Sequence, residues 1–264
     1  MARSIPHYIE AGEGKRSIVF LHGIGGNCHS FDAQLDYFAK HGWRAISWDM
    51  PGYGGSAPLQ EMTWPALAEA AVRMLDHLKL DTSVLLGHSM GGMVAQELAI
   101  TYPERLRGLI LSATSDVFGS ADGKFQEKFL AERLAPLQAG KTPADIAPKT
   151  VPAMFADFKT DAAVAAAVAS TSAIPTATYI QAMQCLVTFN RRDDLGKIEC
   201  PTLLLAGEKD TVMPPKGMQR MAKRLPHPVY REILGVGHLG NLERPDAYNA
   251  KVSQFLFETR LALA

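Results

Sequence analysis

The stretch "LLGHSMGGMVAQ", residues 85–96, changes its periodicity at the centre. Ahead of it, "SVLL" (83–86) is a short apolar run with a β-branched residue, the pattern of a buried strand. Beyond it, apolar side chains recur at spacings of three and four, the pattern of a helix. At the switch, Ser89 stands between Gly87 and Gly91 and satisfies G-x-S-x-G. A serine that only solvates a loop would make this an ordinary strand-to-helix connection. The glycines argue for more. A side chain at either flank would crowd the adjoining strand or helix, and the turn that lifts a serine hydroxyl clear of a sheet is itself strained. A serine so placed needs partners elsewhere in the chain.

Outward from this stretch the same alternation repeats. Apolar runs occur at "SIVFLHG" (17–23), "WRAISWD" (43–49), "LRGLILSAT" (106–114), "PTLLLAGEKD" (201–210) and "VYREILGVGH" (229–238). Between most of them lie amphipathic helical patterns, such as "FDAQLDYFAKHG", "WPALAEAAVRMLDHLKL", "GMVAQELAITYP" and "KGMQRMAKRL". Near-continuous apolar strands separated by helices predict an α/β fold, a mostly parallel sheet flanked by helices, with "HYIEAG" adding an edge strand. The alternation breaks over residues 116–197, where no strand pattern appears and "TDAAVAAAVAS" is the clearest helix. The expected organisation is therefore a core of residues 1–115 and 198–264 with a helical cap, 116–197, inserted above the carboxyl edge of the sheet. That edge is where open α/β sheets bind ligands.

Bulk composition narrows the function. Lys plus Arg and Asp plus Glu each number 27, so no net field recruits nucleic acid or an anionic membrane. The expected partner is a small molecule. Cys28, Cys185 and Cys200 are widely spaced and form no disulfide framework, which favours a reducing compartment. The amino terminus lacks a signal-peptide core, and no apolar run reaches the roughly 18 residues of a spanning helix, so a soluble, cytoplasmic protein is expected.

A serine hydroxyl becomes a nucleophile only when a histidine takes its proton and a carboxylate orients that histidine. With G-x-S-x-G the chain order should be serine, acid, histidine. "LLLAGEKDTVMP" places Asp210 just beyond a strand, and "ILGVGHLGNLERP" places His238 in the loop beyond the next, on the same edge as Ser89. Asp116, after "LRGLILSAT", is the competing acid. Together "LHGIGG", "DMPGYGGS", "GHSMGG", "GEKDTVMP" and "GHLGNLERP" resemble the α/β-hydrolase superfamily over nearly the whole chain except the insertion. The resemblance implies the α/β-hydrolase fold, a Ser89–His238–Asp210 triad, and an oxyanion hole formed by the backbone N–H groups of Ile24 and Met90. It also implies that His22 and His88 brace loops. Asp49, before Pro-Gly and Gly-Gly turns, reads as structural, and Glu243 with Pro245 as the start signal of the last helix.

No His, Cys or carboxylate set has metal-ligand spacing, and "GIGGN" is not a dinucleotide fingerprint, so no metal or cofactor is expected. Phe118, Phe125, Phe129, Phe155, Phe158 and Phe189, with Met154 and Met183, either line a pocket or pack the inserted helices. The expected function is hydrolysis of a small or medium carboxylic ester or lactone through an acyl-serine intermediate. "GHLGNLERPDAYN" looks most like the matching segment of 3-oxoadipate enol-lactonases. Two other readings stay open. One is a carbon–carbon bond hydrolase of ring-cleavage products, whose relatives carry Trp where Leu239 follows His238. The other is a small-molecule receptor of the same fold.

Overall fold

The computed structural model describes residues 4–263. In chain order its elements are β1 (Tyr8–Ala11), β2 (Arg16–Leu21), α1 (Asp32–Lys40), β3 (Trp43–Trp48), α2 (Trp64–His77), β4 (Ser83–His88), α3 (Met90–Thr101), β5 (Leu106–Ser112), α4 (Lys124–Gln138), α5 (Pro143–Thr150), α6 (Asp161–Ser172), α7 (Thr176–Leu186), β6 (Thr202–Gly207), α8 (Pro215–Ala222), β7 (Pro228–Ile233), α9 (Gly240–Glu243) and α10 (Pro245–Glu258). The strands form one sheet in the order β1-β3-β2-β4-β5-β6-β7. Every pairing is parallel except that of the edge strand β1 with β3.

The period-two alternation of strand side chains divides the core between the two faces of the sheet. Val19, Leu21, Leu85, Leu109, Leu111 and Leu204 point to one face, where α2, α3 and α8 cover them. Ile18, Phe20, Val84, Leu86, Leu203 and Leu205 point to the other, covered by α1 and α10. Because both faces of the inner strands are buried, β2 to β6 read as near-continuous apolar runs, unlike the part-exposed edge strands β1 and β7. β4 lies at the centre, so the loop after it opens mid-way along the carboxyl edge.

One helix differs from its sequence reading. α3 was expected to be amphipathic, yet all residues from Met90 to Ala99 are buried, including Gln96 and Glu97. Its far side is covered partly by the end of the insertion, where Arg191 binds both carboxylate oxygens of Glu97 at 2.6 and 2.9 Å. A helix enclosed all round has no solvent stripe to show.

Between β5 and β6 the chain forms α4 to α7 and, among the described residues, no strand of the sheet. One isolated bridge, Val117 with Asn190, ties the two ends of this insertion together. The insertion sits over the carboxyl edge. Thr171 on α6 donates to the Gly25 carbonyl at 3.1 Å, and Thr178 on α7 donates to that of Gly52 at 3.1 Å. A small separate core of Ala147, Val151, Phe155 and Ala167 packs against Leu239 and Leu242. Among the described residues no single helix is long and apolar enough to cross a membrane.

Candidate active site

The turn from β4 into α3 is built by close approach. A Cβ on Gly87 would lie 2.3 Å from the Gly91 carbonyl oxygen, and one on Gly91 would lie 2.0 Å from that of Leu21. Only glycine lets the helix start so near the strands. Ser89 between them has φ 53° and ψ −120°, a conformation that costs a non-glycine residue about 1–3 kcal/mol. Its backbone is secured in return. The amide donates to the Ser112 carbonyl at 2.9 Å, and its carbonyl accepts from Gly92 N–H at 2.9 Å and the Thr114 hydroxyl at 2.7 Å. Among residues 83–99, Ser89 alone is not buried.

Asp210 and His238 meet although 28 residues separate them: His238 Nδ1 lies 2.8 Å from Asp210 Oδ2, and both side chains are buried. The other oxygen, Oδ1, accepts the N–H groups of Val212 and Met213 at 2.8 and 2.9 Å, so the loop after β6 holds the carboxylate in place. Asp116, the competing acid, is buried elsewhere and faces Arg192 and Arg224 at 3.7 and 3.8 Å.

The backbone of His238 is held from two sides. Its N–H donates to the Met154 carbonyl of the insertion at 2.8 Å, and its carbonyl accepts from His88 Nε2 at 2.9 Å. A carbonyl partner requires the proton on His88 Nε2. Burial, aided by the neighbouring His238, pushes the His88 ring down to about 3, so it is neutral at ordinary pH. His88 thereby couples the Ser89 turn to the loop that carries His238, their rings 4.8 Å apart.

His22 plays the matching part on the other side. Its Nδ1 donates to the Gly23 carbonyl at 2.7 Å and its Nε2 accepts from Met50 N–H at 2.9 Å, joining the loops after β2 and β3. Burial pushes this ring down to about 4. The loop it shapes abuts the serine, since a Cβ on Gly23 would lie 2.9 Å from Ser89 Cβ. Ile24 occupies the second position of the turn closed by Gly26 N–H to Gly23 C=O, and Met90 opens α3. The N–H at each of these positions lies outside its own turn or helix ladder.

The fold also gathers His7, Cys28 and Asp49, a donor group that sequence spacing did not reveal. Their atoms satisfy one another without an ion. Asp49 accepts from Cys28 N–H at 2.8 Å, Gly55 N–H at 2.9 Å and His7 Nδ1 at 2.7 Å. Burial opposes its ionisation, yet these donors hold the carboxyl below the usual range. Burial, with the Asp49 carboxylate beside it, pushes the Cys28 thiol up to about 12. Asp49 is a loop brace.

Of the expected pocket aromatics, Phe118, Phe155 and Phe189 are buried with Met183, whereas Phe125 and Phe158 are exposed. Two contributors escaped the sequence reading, the Met154 carbonyl and Glu243, whereas His88 braces the two loops with the His238 carbonyl as its partner. Glu243 and Pro245 were read together as the start signal of the last helix; α10 does begin at Pro245, but the Glu243 side chain turns inward and is buried.

The family model described as alpha/beta hydrolase fold matches residues 16–245. The chain is 26% identical to 3-oxoadipate enol-lactonase 2 of Acinetobacter baylyi, over 93% of this chain and 91% of that one. It is 31% identical to a poly(3-hydroxyalkanoate) depolymerase of Ectopseudomonas oleovorans, over 92% and 85%. Among solved structures, a thermophilic esterase from Thermogutta terrifontis superposes with a TM-score of 0.85 at 26% identity, covering 96% of this chain and 93% of that one. Fold, site geometry and these likenesses agree: the chain belongs to the α/β-hydrolase family.

Proposed function

We propose that this hydrolase cleaves a small or medium carboxylic ester or lactone through an acyl-serine intermediate, with Ser89 as nucleophile, His238 as general base and acid, and Asp210 as its orienting partner. One observation carries the reading. The one residue of 83–99 that is not buried is a strained serine beside the Gly23 loop, and its neighbour His88 ties the same turn to the loop of a buried His–Asp pair. In this scheme Asp210 keeps the proton of His238 on Nδ1, which leaves Nε2 to take the proton of Ser89 Oγ as it attacks the carbonyl. The alkoxide of the tetrahedral intermediate is received by Ile24 and Met90 N–H, the kind of donor whose loss costs about 10²- to 10³-fold in rate. His238 then protonates the leaving group, and the same steps with water release the acid. No metal or cofactor takes part.

Support for an ester or lactone comes from the site, which is roofed by helices as suits a compact acyl group, and from relatives named as a lactonase, a depolymerase and an esterase. Leu239, packed against the α5–α6 core, stands where carbon–carbon hydrolases carry Trp. Three free cysteines fit a reducing, cytoplasmic setting.

The test is fluorophosphonate labelling, then kcat/KM for p-nitrophenyl esters, five- and six-membered lactones and a 2-hydroxy-6-oxodienoate. Ser89→Ala should abolish labelling and leave only a trace of turnover, and EDTA should leave the wild type active. Binding without turnover would favour a receptor. A dienoate kcat/KM more than about 10²-fold above the best ester or lactone, about 2.7 kcal/mol of transition-state preference, would reject the substrate class.

A further inference from the structure

The loop that carries His238 runs beside an inserted segment, residues 154–157, and the two are bonded like a short ladder. His238 N–H donates to Met154 C=O at 2.8 Å, and Asp157 N–H to Gly235 C=O at 3.1 Å. Two inward N–H groups, Gly237 and Ala156, end on one carboxylate: Gly237 donates to Glu243 Oε1 at 2.6 Å and Ala156 to Glu243 Oε2 at 2.8 Å. Glu243 is itself buried, with 6% of its surface exposed. The fit is close. A Cβ on Gly237 would lie 2.5 Å from the Met154 carbonyl oxygen, so segment and loop touch at backbone distance.

Resting on the reading of His238 as the general base, we infer that Glu243 is a positioning residue: it clamps the loop of the base to the insertion. A carboxylate suits the task because it has only acceptors, one oxygen for each N–H. Bonds from N–H to an ionised oxygen are also the strong ones. Gly237 immediately precedes His238, so the clamp acts one peptide from the ring that Asp210 orients. The insertion therefore does more than roof Ser89: through Met154, Ala156 and Glu243 it sets where the base stands.

Glu243→Gln is the direct test, because the amide keeps the shape but offers one acceptor and turns an NH2 group toward the second N–H. Three quantities are measured against the wild type: kcat per serine titrated with fluorophosphonate, KM, and the low-field proton resonance of His238 Nδ1–H, assigned by its loss in His238→Ala. The expected result is kcat lowered about 10- to 100-fold, as for a misplaced catalytic group, with KM within about 3-fold and the resonance shifted or broadened. A kcat per titrated serine within about 2-fold of wild type, a loss carried by KM alone, or an unchanged resonance overturns the inference. If Glu243→Gln does not fold, Ala156→Pro removes one donor from the other side. Phe155 already has the extended backbone, φ −93° and ψ 158°, that precedes proline, and the same three readings decide. If the wild type takes no fluorophosphonate, the serine-hydrolase reading fails by itself, and the resonance still decides whether Glu243 holds His238.

Discussion

At the scale of the residue, the site divides into groups whose role is local and groups whose role is made by tertiary contact. Ser89 is of the first kind: its neighbours Gly87 and Gly91 are required by 2.3 and 2.0 Å approaches, and a pair of glycines two residues either side is visible in the sequence. Asp210 and Asp116 are of the second kind, since both follow strands on the same edge and only contact separates them. Asp210 reaches His238, while Asp116 faces two arginines. We therefore expect Asp210→Asn to lower kcat on the order of 10³- to 10⁴-fold by releasing the His238 tautomer, and Asp116→Asn to leave kcat within about 10-fold. Steady-state kinetics on one ester settles this, and the opposite ranking would reject the acid assignment. The contacts of Glu243 could not be read, because its partners, Ala156 and Gly237, are 87 and 6 residues away and contribute backbone rather than side chains.

At the scale of the element, strands and core helices were legible because burial on both faces imposes continuous apolar runs on the strands and apolar stripes on α1, α2, α8 and α10. The insertion was legible only as a block. α6 shows itself through its alanine run, but α4 buries Leu137 alone of its 15 residues and so carries no clear stripe. What fastens this block is again tertiary. Glu97 is buried on α3 with 4% of its side chain exposed, and Arg191, at the end of the insertion, meets it with two bonds. Removing either partner strands the other, so Glu97→Ala and Arg191→Ala should each cost about 2–3 kcal/mol in urea unfolding. The double variant should cost little more than one of them. Additive losses would show that the pair does not act as a unit.

At the scale of the whole molecule, the two braces His22 and His88 tie stability to pH. Both rings are buried and held down to about 4 and about 3, whereas in the unfolded chain each takes a proton near its ordinary 6.5. Between those values the unfolded state binds more protons than the folded one, so stability rises with pH through this window. Their contribution is complete above about 6.5 and is lost as pH falls toward 4 and 3, at up to about 1.4 kcal/mol per pH unit for each ring. Denaturant unfolding from pH 7.5 to 4.5 reads it, and a stability that stays level from 6.5 to 5 would contradict neutral buried histidines. By itself the sequence determined the α/β architecture, the glycine-flanked turn that carries Ser89 and the chain order of Ser89, Asp210 and His238, because periodicity and glycine spacing are local properties of the chain. Tertiary structure alone decided which aspartate meets His238, that α3 is enclosed on every side, that Asp49 gathers His7 and Cys28, and that Glu243 joins the insertion to the loop of His238. Each of these is a contact between backbone or side chains distant in sequence, and the pattern of any one segment holds no record of what the fold brings against it.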